Sequence, residues 1–122
     1  HEAPTGNGDG RQPRDFTYVG NAVQAVLCGL KADGTAPGRV FNIAYGDRCD
    51  LLTLVGHLRT HLSAIDPAIA DVGITHAPER PGDVRDSLAD IGLAKDLRGY
   101  APAYDLAAGL ERAVPWYAEH WR

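Results

Sequence analysis

DFTYVGNAVQAVLCGLKADGTAPGRVFNI, residues 15–43, sets the class of fold expected for this chain. Asp15-Phe16-Thr17-Tyr18-Val19 and Val40-Phe41-Asn42-Ile43 are short runs rich in β-branched and aromatic side chains, so each predicts a strand. Between them Val23, Val26, Leu27 and Leu30 recur at helical spacing and give residues 21–31 one apolar face, with Asn21 as N-cap. The segment ADGTAPG at 32–38 breaks that helix. Strand, helix and strand in succession make a candidate β-α-β unit, and the expected class is α/β.

The same pattern reading extends outward in both directions. Residues 1–14, rich in Gly, Pro, Asn and Asp, predict an exposed loop. Downstream, Asp50 is placed to cap a helix whose stripe is Leu51, Leu54, Val55, Leu58 and Leu62, and Pro67 closes that region. A short strand is expected around Gly73 to His76. Glu79-Arg80-Pro81-Gly82-Asp83-Val84-Arg85 is a charged turn. Asp90 predicts a helix start and Gly99 its end. Asp105 opens a last helix with Leu106, Leu110, Val114, Tyr117 and Trp121 on one side. Pro115 interrupts that pattern, which predicts a kink or a two-part helix. The expected architecture is helices with a few short strands.

A chain of 122 residues suffices for one domain with a hydrophobic core. A net charge of −4 with no long basic run argues against nucleic acid as the main ligand. No apolar stretch is long enough to span a bilayer, so no membrane partner is expected and the default compartment is cytoplasmic. Cys28 and Cys49 belong to no C-x-x-C pattern; one disulfide would be allowed, and two reduced thiols are the favoured reading. The sequence holds no methionine and begins His1-Glu2-Ala3-Pro4, which reads as part of a longer chain.

Three constellations invite a chemical reading. Gly6, Gly8 and Gly10 form G-x-G-x-G, with the wrong spacing for a dinucleotide turn, no predicted strand before it and the Asp9 carboxylate inside it, so a surface turn fits better. His57 and His61 lie four apart on a helix and could face one metal ion, but no Cys or Glu completes a set and both border the leucine stripe; no metal is expected. Arg14, Arg80, Asp83 and Arg85 carry more weight. Two guanidinium forks from separate loops can grip a diphosphate, whose paired oxygens match their geometry, and a neighbouring carboxylate can accept from ribose hydroxyls. The alternative is a set of solvated surface ion pairs.

Two segments tip this balance. Gly8-Asp9-Gly10-Arg11-Gln12-Pro13-Arg14-Asp15-Phe16-Thr17-Tyr18-Val19 and Arg80-Pro81-Gly82-Asp83-Val84-Arg85-Asp86-Ser87 resemble, in order and separation, two signatures of the extended short-chain dehydrogenase/reductases, the NAD-dependent epimerase/dehydratase family. Val40 to Ile43, Ser87 to Ile91, Leu97 to Pro102 and the Trp116-Tyr117 helix are similar to further family segments. The nearest likeness is to bacterial UDP-N-acetylglucosamine 4-epimerases.

The resemblance implies a single nucleotide-sugar binding domain over 1–122, the C-terminal fragment of an extended fold whose Rossmann cofactor domain is absent. It implies that Arg14 and Arg80 hold the UDP diphosphate, that Asp83 meets the ribose and that Asn42 is a pattern asparagine with a structural role first. Two positions depart from the family: Gly6 replaces an apolar residue near the nucleotide, and Gly20 replaces an acidic residue ahead of the following helix.

NAD is expected in the full-length enzyme, bound mainly by the missing half, with no cofactor on this fragment. None of Tyr18, Tyr45, Tyr100, Tyr104 and Tyr117 has a lysine four residues on, so no catalytic residue is assigned and no catalysis is expected from this chain alone. The implied function is the UDP-binding half of a UDP-N-acetylglucosamine or UDP-glucose 4-epimerase. The alternatives are the same half of a dehydratase or decarboxylase, or a stand-alone non-catalytic binding module. Expected partners are a UDP-sugar, the missing Rossmann half and, through uncovered apolar surface, further copies of the chain.

Overall fold

The computed structural model describes residues 1–31 and 38–120. The helix-breaking reading of ADGTAPG therefore lies, except for Gly38, outside the described residues, as does Trp121. The elements are β1 (Thr5–Asn7), β2 (Pro13–Arg14), α1 (Val19–Lys31), β3 (Cys49–Asp50), α2 (Leu51–Ser63), a 3₁₀ turn (Pro67–Asp71), β4 (Thr75–Ala77), α3 (Gly92–Arg98) and α4 (Leu106–His120). The fold is α/β, with helices dominating and, among the described residues, strands in two small pairs. β1 runs parallel to β4, and β2 runs antiparallel to β3.

Neither arm of the expected β-α-β unit is a strand. Residues 15–18 are held by side-chain and helix-start contacts instead. The Asp15 carboxylate accepts the N–H groups of Tyr45 and Gly46 at 3.1 and 2.9 Å, and the Tyr18 carbonyl accepts from Asn21 N at 3.0 Å as α1 begins. Val40 to Ile43 forms no ladder among the described residues, and Val40 is 88% exposed. A β-prone run becomes a strand only where another strand meets its backbone groups. The loop expected over 1–14, conversely, supplies β1 and β2.

α1 forms where its periodicity predicts, but it is turned over. At about 100° per residue, Val19, Val23, Val26, Leu27 and Leu30 fall in one arc of about 100° opposite Asn21. These five are 49–78% exposed. Asn21, expected as an N-cap, lies inside the helix and is 1% exposed. Its amide donates to the Tyr104 carbonyl at 2.7 Å and its oxygen accepts from Ala103 N and Tyr104 N at 3.0 and 3.1 Å. Polar staples fix this face of the helix, and Gln24 adds one by donating to the Ala101 carbonyl at 2.8 Å.

The other helices follow their sequence signals. Asp50 caps α2 by accepting from Thr53 N at 2.7 Å, and the leucine stripe is half-buried against the 3₁₀ turn and α4. Asp90 accepts from Gly92 N at 2.8 Å just before α3, although Ile91 takes the cap position itself, and Gly99 ends that helix in the left-handed region. Asp105 accepts from Ala108 N at 2.8 Å at the start of α4. That helix runs unbroken through Pro115 rather than in two parts. Gly109 of α4 lets Tyr18 approach so closely that a Cβ there would sit 2.8 Å from the Tyr18 Cβ. The ring of Tyr18 also fills the space beside Gly20, and the first turn of α1 carries no acidic residue. Tyr18 meets Tyr104 edge-on at 5.2 Å, and the Arg112 guanidinium lies 4.6 Å above the Tyr104 ring.

The buried core is small. Ala44, Ile91, Ala94 and Tyr100 form it, with Ala25, Phe41 and Ala89 packed around. Tyr100 donates its hydroxyl to the Ala44 carbonyl at 2.7 Å, and burial, then the charge of Asp15, raises its pKa. Cys28 and Cys49 are both free thiols, and burial, followed by the charge of Asp50, raises the pKa of Cys49.

Thr53, first through its side chain and then through its N–H, holds the Asp50 carboxyl below its ordinary range. A depressed folded-state pKa contributes stability above the unfolded value that is lost as pH falls through the folded one. Asp50→Ala should therefore cost about 1 kcal/mol at neutral pH, and the deficit relative to wild type should shrink below about pH 4. Urea unfolding of both proteins at the two pH values checks this; an equal deficit at each would remove the cap as its source.

Candidate functional site

The site starts from the β1–β4 pairing, which sets Gly6 opposite His76 and Asn7 opposite Ala77. The pairing continues past the strand ends, with Gly8 N donating to the Ala77 carbonyl at 2.8 Å and His76 Nδ1 2.8 Å from the Gly8 carbonyl. Two chain reversals are thereby laid side by side. One is the Gly8–Gly10 turn, where both glycines have positive φ. The other is Arg80-Pro81-Gly82-Asp83, in which Asp83 N donates to the Arg80 carbonyl at 3.1 Å and Gly82 has φ 81°. Pro at the second position and a positive-φ Gly at the third are the signature of a type II turn. Such a turn holds its first and last residues together, here Arg80 and Asp83.

Arg14 arrives from β2, which β3 pins in register, Pro13 opposite Asp50 and Arg14 opposite Cys49. Its Nη2 donates to Asp83 Oδ1 at 3.1 Å and its Nη1 to the Pro13 carbonyl at 2.8 Å. The two turns and the start of β2 enclose an open cavity of about 310 Å³ lined by residues 7–9, 11–13, 79, 80 and 83–86. Arg14 is not itself in the lining and reaches it through Asp83. Arg85, which also lines the cavity, pairs with Glu79 at 3.7 Å and has a side chain 84% exposed.

Three of the four residues named from the sequence, Arg14, Arg80 and Asp83, are thus gathered from segments about 70 positions apart. Asn42 is not among them. Its amide donates to the Asp90 carbonyl at 3.2 Å and ties Val40–Ile43 to the approach of α3. Sequence reasoning missed Asn7, whose side-chain amide lies against Arg80, and Gln12, whose amide donates to the Asn7 carbonyl at 2.7 Å. The N-G-D-G stretch was the available signal, but its partner across the strand pair is invisible in one dimension.

The Gly8–Gly10 turn does follow a strand, contrary to expectation. It leads into β2 rather than a helix, and the Asp9 carboxylate accepts Arg11 N at 2.9 Å at its tip. With an anion in place and no helix N-terminus behind it, the turn does not fit a dinucleotide diphosphate. Among the described residues no group of three or more His, Cys, Asp or Glu is arranged to hold a metal ion, and no helix is long and apolar enough to cross a membrane.

The fold that carries this cavity has counterparts among solved structures. A UDP-glucose 4-epimerase with UDP-glucose from Thermotoga maritima superposes with a TM-score of 0.85 at 29% identity, over 99% of this chain and 36% of that one. This chain has the fold of the C-terminal part of the extended short-chain dehydrogenase/reductase epimerases. In sequence it is 30% identical over 132 aligned residues to a probable UDP-glucuronate 4-epimerase of Rhizobium meliloti, and 34% identical over 114 to a dTDP-glucose 4,6-dehydratase of Streptomyces griseus. Those alignments take in 94% and 93% of this chain but only 37% and 32% of the relatives. The chain therefore spans about a third of the length of the curated relatives it matches. No family model matches it.

Proposed function

We propose that this chain is the UDP-binding side of an NAD-dependent UDP-sugar 4-epimerase, a single nucleotide-sugar binding domain. The observation that carries the reading is that Arg80 and Asp83 line one open cavity and that Arg14 is bonded to Asp83 at its edge. Arg80 offers its fork to the diphosphate. Arg14 takes the second phosphate once its pair with Asp83 is exchanged, and Asp83 then accepts from the ribose hydroxyls. The exchange replaces one charge-assisted contact of Arg14 with another and so costs little.

Among UDP-sugars, UDP-N-acetylglucosamine and UDP-glucose are the substrates to which the motifs point. The residues described here bind and orient the nucleotide, and hydride transfer through NAD belongs to a Rossmann half outside this chain. A second reading, favoured by the 34% identity to a dTDP-glucose 4,6-dehydratase, is the same half of a nucleotide-sugar dehydratase.

Calorimetric titration with UDP and UDP-glucose tests the proposal. Binding is expected, with no interconversion of UDP-N-acetylglucosamine and UDP-N-acetylgalactosamine by this chain even when NAD is added. Failure to bind either nucleotide would sink the reading, and measurable epimerisation would place the chemistry here after all.

The uncovered apolar arc of α1, together with Val40, belongs to the same proposal. We infer that a Rossmann half covers it and that copies of this chain on their own associate through it. A concentration series by sedimentation velocity should show rising mass, and Leu27→Lys with Leu30→Lys should abolish the rise. A species that stays monomeric at high concentration would mean that this face needs no cover.

A further inference from the structure

We propose that Asn7 is a positioning residue for phosphate recognition, its amide oxygen locking the Arg80 fork so that the remaining N–H groups meet a diphosphate in the cavity. The inference rests on the nucleotide reading of this site and assigns how its specificity for phosphate is built. With its oxygen toward Arg80, the orientation that avoids setting N–H against N–H, the Asn7 amide accepts from Arg80 Nε at 3.0 Å and Nη2 at 3.2 Å.

Of the five N–H donors of an arginine, this side-on contact uses two and leaves three, two of them side by side on the outer edge of the fork. That edge belongs to a residue in the cavity lining. Asn7 is itself well held, since β1 pairs with β4 and its carbonyl accepts the Gln12 amide at 2.7 Å.

The neighbouring arginines show why an amide matters here. Arg14 is paired with Asp83 at 3.1 Å, Arg48 with Asp86 at 3.4 Å and Arg85 with Glu79 at 3.7 Å. Each of those partners is a carboxylate, which orients the guanidinium but also offsets its charge. No ion pair engages Arg80 among the described residues. A neutral acceptor fixes the fork and leaves the full positive charge for a ligand anion.

The test is a pair of double-mutant cycles on UDP affinity, read by calorimetry. Asn7→Ala should weaken UDP about ten-fold in the wild-type background. In an Arg80→Ala background the same change should cost less than about two-fold, whereas in an Arg14→Ala background it should again cost about ten-fold. Thermal midpoints of the variants should stay together. Asn7→Thr, whose branched side chain suits a strand but is too short to hold both N–H groups, serves if Asn7→Ala lowers the midpoint. Equal costs in the two backgrounds, or no cost in wild type while Arg80→Ala still weakens UDP, would overturn the inference and leave the nucleotide site standing. Absence of UDP binding by the wild-type protein would remove both together.

Discussion

Arg80→Ala is expected to weaken UDP binding by about ten-fold to over a hundred-fold, while Arg85→Ala changes it by less than about two-fold. Removing a charge-assisted contact to a phosphate costs roughly 1.5–3 kcal/mol, and each 1.4 kcal/mol is ten-fold in affinity. The two arginines sit five positions apart in one charged turn, and composition alone gives no reason to choose between them. Their surroundings do. Both side chains line the cavity, but Arg80 faces a neutral amide at the head of a type II turn. Arg85 is 84% exposed and its charge is met, loosely, by Glu79 at 3.7 Å. Calorimetric titration of UDP into the two variants decides the matter. Equal losses would mean that the turn acts through net charge alone, and a larger loss for Arg85→Ala would put the phosphate beside Arg85 instead.

The second large effect concerns stability. Asn21→Ala should lower it by about 3 kcal/mol or more, because three hydrogen bonds to a fully buried amide vanish and the backbone groups of residues 103 and 104 lose their partners. That is a large share of the 5–15 kcal/mol typical of a domain, so the thermal midpoint should fall by more than about 10 °C. Asn21→Asp should fare no better, since it loses the donor to the Tyr104 carbonyl and buries a charge. Gln24→Ala, which removes one exposed bond, should cost about 1 kcal/mol or less. Differential scanning calorimetry of the three variants separates these cases; a midpoint for Asn21→Ala within a few degrees of wild type would show that the staple between α1 and the 103–104 loop is not what holds the helix.

The helix boundaries and the Arg80–Asp83 turn were legible in the sequence because their signals are local. Asp50 and Asp105 cap the elements they precede, since a capping carboxylate needs only an N–H three residues away. Gly99 ends α3 because a left-handed residue is cheap only for glycine. Arg80-Pro81-Gly82-Asp83 spells out its own turn, and so brings the backbones of Arg80 and Asp83 together before any tertiary contact exists.

What the tertiary structure decided was everything that depends on a partner far along the chain. Asp15 to Val19 and Val40 to Ile43 have strand-forming side chains, but a ladder requires a second strand, and neither run forms one among the described residues. β1 was hidden in a glycine-rich loop because its partner is β4, about 70 residues on. The periodicity of α1 located its apolar arc correctly and its burial wrongly. An apolar stripe says which face prefers to leave water, while the three bonds of Asn21 fixed the opposite face inward. Asn7 stayed unseen for the same reason: its chemistry lies in the contact with Arg80, which only the β1–β4 pairing creates.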